Sequence, residues 1–196
     1  MMNKIKKAGL WVFYTLFLWI VPYWYRFTMF LTKSSEYPVK TYSTYIHILD
    51  ALSYGSRWTS DPLGGALDNL YHPTRVQEHI KKGEDIGDCD DHAVYWATTL
   101  LKSKLARRAW ISFYQYQKND TGQFGGHVIC VFESKKTGEL MWVDYHPPLK
   151  MENRSSWIKH FEKTKNRTAL YAAEIPVIGL HNDDTPILGK PRILLY

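Results

Sequence analysis

The distribution of hydrophobic positions separates an apolar N-terminal segment from a mixed body. Residues 8–25 contain no charged side chain and follow three closely spaced lysines. As an α-helix this run would be about 27 Å long, close to the roughly 30 Å hydrocarbon core of a bilayer. Pro22 lies near its far end and should bend or stop the helix. We predict a hydrophobic helix within residues 1–31.

Three roles remain open for this N-terminal helix. It fits a membrane anchor, a helix that docks on another protein, or a signal peptide, although no small-residue cleavage site follows it. Aromatic residues at both ends are typical of the membrane interface. The lysines favour an N-terminus inside, so we expect a membrane-associated protein with the remaining domain outside the cytoplasm. The alternative is attachment to a virion or another large assembly.

Helical spacing dominates the first half of the remaining chain. Residues 32–44 are polar and indicate a linker. Helices are expected over residues 45–58 and 75–82, the latter ended by Gly83, and a further helix follows Asp88 as its N-cap. Asp61, Pro62, Gly64 and Gly65 indicate a loop between the first two.

Strand patterns dominate the second half. They cover residues 109–115, 127–133, 140–145 and 172–178, with turn-rich stretches between the first three. Helices followed by strands predict an α+β fold with the helix after Asp88 packed on an antiparallel sheet. We place its core at residues 45–150 and a C-terminal extension at 151–196. Within that extension, Asp183 and Asp184 are expected in a solvated turn.

Composition describes an ordinary globular protein, with 45% hydrophobic and 22% charged residues. The formal charge of +6 and a pI near 9.1 suit an anionic partner such as a membrane surface, peptidoglycan or nucleic acid. The basic residues are spread along the chain without a nucleic-acid-binding motif, which argues against nucleic acid.

Two cysteines, Cys89 and Cys130, are too few for a disulfide framework and form no CxxC metal spacing. Cys130 lies inside an apolar run and is expected to be a packed thiol. Cys89 follows Gly-Asp at the start of a predicted helix. Unpaired N–H groups and the helix dipole at such a position lower a thiol pKa and can hold an oxyanion.

A nucleophilic thiol also needs a histidine and a group that orients it. His127 begins one predicted strand, and Asp144 lies near the end of the next. In an antiparallel hairpin these positions come close together, within reach of a side-chain hydrogen bond. We further expect the helix that begins near Cys89 to pack on the face of the sheet that carries His127.

The motif around Cys89 resembles a known signature. Residues 87–93, Gly-Asp-Cys-Asp-Asp-His-Ala, are similar to the Gly-Asp-Cys-(Glu/Asp)-Asp-x-Ala motif of transglutaminase-like cysteine peptidases. Residues 71–76 resemble the lead-in of bacterial members, and the His127 and Asp144 segments match in order and approximate spacing. His92 departs from the usual aromatic residue, and Tyr71 from the usual tryptophan.

This resemblance, over residues 45–148, implies a papain-like core in which Cys89, His127 and Asp144 hydrolyse amides or transfer acyl groups of a protein or peptide. The second oxyanion donor stays open among Tyr71, Gln77 and Trp58. No cofactor is predicted. A metal site of Cys89 with its acidic neighbours and His92 is disfavoured, because adjacent helical residues do not converge.

Two other functions are kept as alternatives. A cell-wall endopeptidase of the NlpC/P60 type also pairs a helix cysteine with a strand histidine, but its cysteine is commonly followed by Ser-Gly. A structural subunit of a virion or membrane complex that retains a peptidase-like core is the alternative from another class.

Overall fold

An antiparallel sheet is the central feature of the computed structural model, which describes residues 4–55 and 70–195. The elements in this part of the chain are α1 (Lys4–Thr32), α2 (Tyr45–Gly55), α3 (Pro73–Lys82), α4 (Cys89–Lys102), β1 (Ala106–Lys118), β2 (Phe124–Ser134), β3 (Leu140–Val143), β4 (Leu149–Lys150), α5 (Ser156–Lys165), β5 (Arg167–Leu180), β6 (Pro186–Leu188) and β7 (Arg192–Leu195). The predicted α+β class is confirmed. The loop expected near Gly64 lies outside the described residues.

Capping residues fix the bounds of α3 and the start of α4. The His72 side chain accepts a hydrogen bond from the Thr74 N–H, Pro73 is the first helical residue of α3, and Gly83 ends it with a φ of +67°. Asp88 caps α4 through a capping box with Asp91. α4 begins where the sequence predicts, and α3 begins two residues before the expected residue 75, because each cap satisfies backbone N–H groups that a helix leaves unpaired.

Pro22, which was expected to bend or stop the N-terminal helix, does not end it. α1 continues through Pro22 to Thr32. Val21, Tyr25 and Met29 are buried against the body of the fold, which holds the helix together beyond the proline. Within residues 4–55 and 70–195, no helix combines the length and apolar character that crossing a membrane requires.

The sheet continues past the boundary predicted at residue 150. Its strand order is β4-β3-β2-β1-β5-β6, with β7 also paired to β5, and every pairing is antiparallel. β1 therefore lies between β2 and β5. Segment 172–178 is the middle of β5, a strand inside the sheet and not part of a separate extension.

Helices cover both faces of this sheet. On one face Ile111, Cys130 and Phe132 share a buried cluster with residues of α1, α2, α3 and α4. On the other face Ile129 and Val131 share a second cluster with the aromatic side chains of α5. Alternation along β1 and β2 separates the two sets, as expected for strands buried on both sides.

The turn after β5 is exposed at Asp183, as predicted, but it is anchored in the protein at Asp184, where the prediction of a solvated residue is wrong. The Asp184 carboxylate is buried and accepts hydrogen bonds from the Val39 N–H at 2.9 Å and from Lys102 Nζ at 2.7 Å. Asp183 pairs with Lys33. These contacts fix the polar segment between α1 and α2 against the end of α4.

Stability should fall as the pH drops from about 6.5 to about 4. His72 is buried between Thr74 and Thr185, and burial lowers its pKa to about 4. Because the unfolded chain binds this proton more readily, the stability contributed by neutral His72 is present above pH 6.5 and is lost as the pH falls through 4. We expect a loss on the order of 2 kcal/mol, and His72→Asn should reduce this pH dependence in urea titrations. An unchanged slope in that variant would contradict the assignment.

Candidate active site

Cys89 is the first residue of α4, directly after its cap. The Asp88 side chain accepts from the Asp90 N–H at 3.3 Å, and the Asp91 side chain accepts from the Asp88 N–H at 3.2 Å. This reciprocal arrangement fixes the first helical turn. The Cys89 side chain is partly exposed there. The thiol thus lies at the positive end of the α4 dipole.

The glycine before the cap is required by its surroundings. Gly87 has a φ of +92°, and an added Cβ would lie 1.8 Å from Asp91 Oδ2. That carboxylate is already held by the backbone N–H groups of Tyr71 and Asp88. The Gly-Asp-Cys-Asp-Asp sequence therefore has a structural role in addition to any catalytic role, because it forms the turn in which Cys89 lies.

Gly87→Ala should destabilise the protein more than Gly83→Ala. Both glycines have positive φ, so each substitution carries a backbone cost of about 1–2 kcal/mol. Only at Gly87 does the new methyl group overlap Asp91, whereas nothing lies within 4 Å of a Cβ at Gly83. Opening the cap should add about 1 kcal/mol to the loss. Urea denaturation of the two variants measures the difference, and equal losses would contradict it.

His127 and Asp144 are in direct contact. His127 Nε2 lies 2.9 Å from Asp144 Oδ2, and both side chains are mostly buried. Antiparallel pairing of β2 with β3 places Asp144 just beyond the end of β3, diagonally across from His127. A carboxylate only accepts hydrogen bonds, so Nε2 carries the ring N–H and donates a hydrogen bond to Asp144. In the neutral ring, Nδ1 is then the acceptor.

Aromatic rings surround the His127 imidazole. Its ring centroid lies 5.4 Å from that of Phe161, 6.4 Å from that of Tyr114 and 6.3 Å from that of Tyr145. Phe161 belongs to α5 and Tyr114 to β1. These neighbours limit rotation of the imidazole and restrict its contact with water. Asp144 and the three rings together orient His127.

The body of α4 packs on the face of the sheet opposite His127. Alternation along β2 places His127 with Ile129 and Val131, on the α5 side. The prediction that α4 covers the His127 face is therefore wrong, because α5 covers it. The first turn of α4 nevertheless lies near the end of β3, since the His92 ring is 4.9 Å from the Tyr145 ring. This contact links the first turn of α4, which begins at Cys89, to the residue that follows Asp144.

His92 is a second imidazole in this region, one helical turn after Cys89. It is buried, its Nε2 has no hydrogen-bond partner within the described part of the chain, and its ring packs edge-on against Tyr145. Burial lowers its pKa to about 4, with Asp144, Asp88 and Asp85 acting in the opposite direction. The sequence marks His92 as a departure from an aromatic residue and as a disfavoured metal ligand. In the structure its ring packs against Tyr145, and its lowered pKa favours the neutral form at neutral pH.

Three carboxylates converge at the start of α4. One oxygen from each of Asp88, Asp90 and Asp91 lies within 4.8 Å of the others. This convergence is possible because the side chains of the capping turn bend back toward the backbone. The expectation that only helical residues three or four positions apart come together does not cover such a turn. Oxygen ligands of this type suit a hard cation. The Asp88 and Asp91 carboxylates, however, also accept backbone hydrogen bonds in the cap.

Two other residues proposed from the sequence have structural roles. Cys130 is fully buried, and burial raises its pKa well above the usual value for a thiol, as expected for a packed cysteine. Gln77 Oε1 accepts hydrogen bonds from the Tyr95 hydroxyl at 2.8 Å and from the Lys40 N–H at 3.0 Å. These bonds link Gln77 of α3 to α4 and to the segment between α1 and α2. Trp58 lies outside the described residues.

Comparisons with known proteins give limited information. No family model matches the chain, and no curated protein sequence matches it. Among solved structures it is similar to LapG of Legionella pneumophila, with 20% identity, 76% of this chain and 71% of that chain covered, and a TM-score of 0.35. An EGTA-treated form of LapG gives 19% identity, 76% and 69% coverage, and the same score. At this score no conclusion on fold or function follows from the likeness.

Proposed function

We propose that this chain is a thiol-dependent peptidase or acyltransferase that acts on amide bonds of a protein or peptide. Cys89 is the nucleophile, His127 the base and Asp144 the residue that orients His127. The observation that carries the proposal is the 2.9 Å hydrogen bond between His127 Nε2 and Asp144 Oδ2. Its geometry suits catalysis because it leaves the other ring nitrogen available to a thiol.

The position of Cys89 supports the same assignment. A thiol in the first turn of a helix is placed where the thiolate is favoured, and its own backbone N–H can stabilise an oxyanion. Two of the three acidic residues beside Cys89, Asp88 and Asp91, direct carboxylate oxygens at backbone N–H groups of the cap.

The proposed reaction has two steps. His127 Nδ1 takes the Cys89 proton, and the thiolate adds to the amide carbonyl carbon to form a tetrahedral oxyanion. The intermediate collapses to a thioester as the C–N bond breaks, and the His127 imidazolium protonates the leaving amine. Water then attacks the thioester carbonyl in hydrolysis, or a second amine attacks it in transfer, and His127 accepts the proton of the attacking group. The second tetrahedral intermediate collapses as its C–S bond breaks, and His127 returns the proton to the Cys89 sulfur, which releases the acid or the new amide.

Thiol labelling tests the proposal. We expect iodoacetamide to label Cys89 at least about 100-fold faster than Cys130 in the folded protein, because Cys130 is fully buried and remains a thiol. Peptide mass spectrometry after timed quenching measures both rates in one sample. Labelling in concentrated urea is the control, where the two rates should become similar. Equal rates in the folded protein would count against an activated Cys89.

Turnover provides the second part of the test. A mixture of peptides of varied sequence is incubated with the full chain, with and without added primary amine, and products are identified by mass. Cleavage or amine incorporation should disappear in Cys89→Ala and persist in Cys130→Ala. Turnover that survives Cys89→Ala would overturn the proposal.

A further inference from the structure

Large apolar side chains lie along one side of α1 and are exposed to solvent. We call this set the aromatic face, and its members are Val12, Leu16, Trp19, Ile20, Tyr23, Trp24, Phe27, Phe30 and Leu31. Their exposed fractions range from 39% to 77%. At 100° per residue they occupy one arc of about 140°, and from first to last they span about 28 Å.

The orientation of this face is fixed by the contacts that α1 makes with the rest of the protein. Val21, Tyr25 and Met29 are buried in the core. Arg26 Nη2 donates to the Leu188 carbonyl at 2.8 Å, which ties α1 to β6. The Thr32 hydroxyl accepts from the His72 N–H at 2.8 Å, which ties its C-terminus to the start of α3. α1 therefore cannot rotate its aromatic face inward without losing these contacts.

The charges around the aromatic face are positive. α1 contains no acidic residue, and lysines occupy positions 4, 6 and 7 in its first turns. Lys190 Nζ lies 5.2 Å from the centroid of the Trp19 ring, and Arg26 lies on the same edge of the helix. The chain as a whole carries a formal charge of +6. A second copy of this chain would bring the same positive charges to the same face.

We propose that the aromatic face binds the surface of an anionic phospholipid membrane, with α1 lying parallel to the membrane plane. Tryptophan and tyrosine rings combine an apolar body with a polar atom, which suits the headgroup boundary. Leu16, Ile20, Phe27 and Phe30 supply the apolar side chains that enter the acyl region. Lys190, beside the Trp19 ring, lies where it meets anionic headgroups, and the three lysines in the sequence of the first turns of α1 add to the positive charge. The occupant is lipid and not a protein of complementary shape.

Vesicle sedimentation tests this inference with the full chain. The vesicles are pure phosphatidylcholine in one arm and phosphatidylcholine with 30% phosphatidylglycerol in the other. We expect at least tenfold stronger partitioning to the anionic vesicles, and a loss of at least tenfold with Phe27→Ser/Phe30→Ser. The matched control is Phe124→Ser/Ile178→Ser, which removes two side chains of similar exposure, 64% and 68%, from β2 and β5. That control should bind like the unaltered chain.

Other results of these experiments also decide whether the aromatic face binds a membrane. Absence of binding to anionic vesicles overturns the inference. A dimer would also overturn it, if light scattering without lipid shows the dimer in the unaltered chain but not in Phe27→Ser/Phe30→Ser and neither the unaltered chain nor the variant binds vesicles. The aromatic face would then bind a second copy of the chain. Blue-shifted Trp fluorescence on anionic vesicles that is lost in the same variant supports the inference. Since these side chains are exposed, the variant should unfold at the same urea concentration, and its Cys89 should react with iodoacetamide at the unaltered rate.

Discussion

His127→Ala is expected to slow alkylation of Cys89 by about tenfold at pH 6. An unassisted thiol has a pKa near 8.5, so only a fraction of a per cent is ionised at that pH, whereas a thiol paired with imidazolium is mostly ionised. The lower nucleophilicity of the paired thiolate offsets part of this gain, which leaves roughly one order of magnitude. Iodoacetamide labelling followed by peptide mass spectrometry measures the rate.

The pH dependence separates this effect from a structural one. Near pH 9 the Cys89 thiol should be largely ionised in both proteins, so the difference in alkylation rate between His127→Ala and the unaltered chain should shrink. Asp144→Asn should act in the same direction as His127→Ala, because Asp144 then no longer accepts the Nε2–H. His47→Ala, at an exposed position of α2, is the matched control. Alkylation that is equally fast in His127→Ala and the unaltered chain at pH 6 would refute the pairing.

The second large effect concerns stability: Arg154→Met should lower the free energy of unfolding by about 3–5 kcal/mol. Glu174 is fully buried in β5, and Arg154 holds it through Nη2 at 2.8 Å and Nε at 3.2 Å. Arg154 also stacks on Trp110, with its guanidinium carbon 3.8 Å from the ring centroid. Removing the arginine leaves the buried Glu174 carboxylate without these two contacts.

A neighbouring arginine provides the control. Arg108 pairs with Glu133 at the surface and also lies over the Trp110 ring, at 5.6 Å. Arg108→Met should cost less than about 1 kcal/mol, because exposed ion pairs contribute little. The double variant Arg154→Met/Glu174→Met should recover most of the stability lost in Arg154→Met. A similar loss for the two single variants in urea titrations would show that burial of Glu174 is not the cause.

Local signals in the sequence predict the parts of the structure that depend on neighbours along the chain. Pro73, Gly83 and Asp88 mark helix bounds because caps and positive φ values are properties of a few consecutive residues. The contact between His127 and Asp144 could be predicted for a related reason: a short connection fixes which ends of two strands meet.

Features that depend on distant residues were not predictable in the same way. The period-two pattern shows that β2 has two faces but does not say which helix covers each, so α4 was assigned to the wrong one. Asp184 looks like a turn residue, and its burial depends on Val39 and Lys102, which are far from it in sequence. Pro22 does not end α1 because the core holds the helix on both sides of it.

The place of β5 in the sheet has a consequence for the order of folding during synthesis. Tyr114 on β1 pairs with Ala172 on β5, a partner that leaves the ribosome well after the helices and the β2–β3 hairpin. Until β5 pairs with it, one edge of β1 has unpaired backbone N–H and C=O groups, at which strands of other chains can pair and aggregate. Closing this long loop makes the final step slow compared with the local hairpin. A polypeptide that stops at residue 150 would carry Cys89, His127 and Asp144 and still lack both the Phe161 ring beside His127 and the strand that completes its sheet.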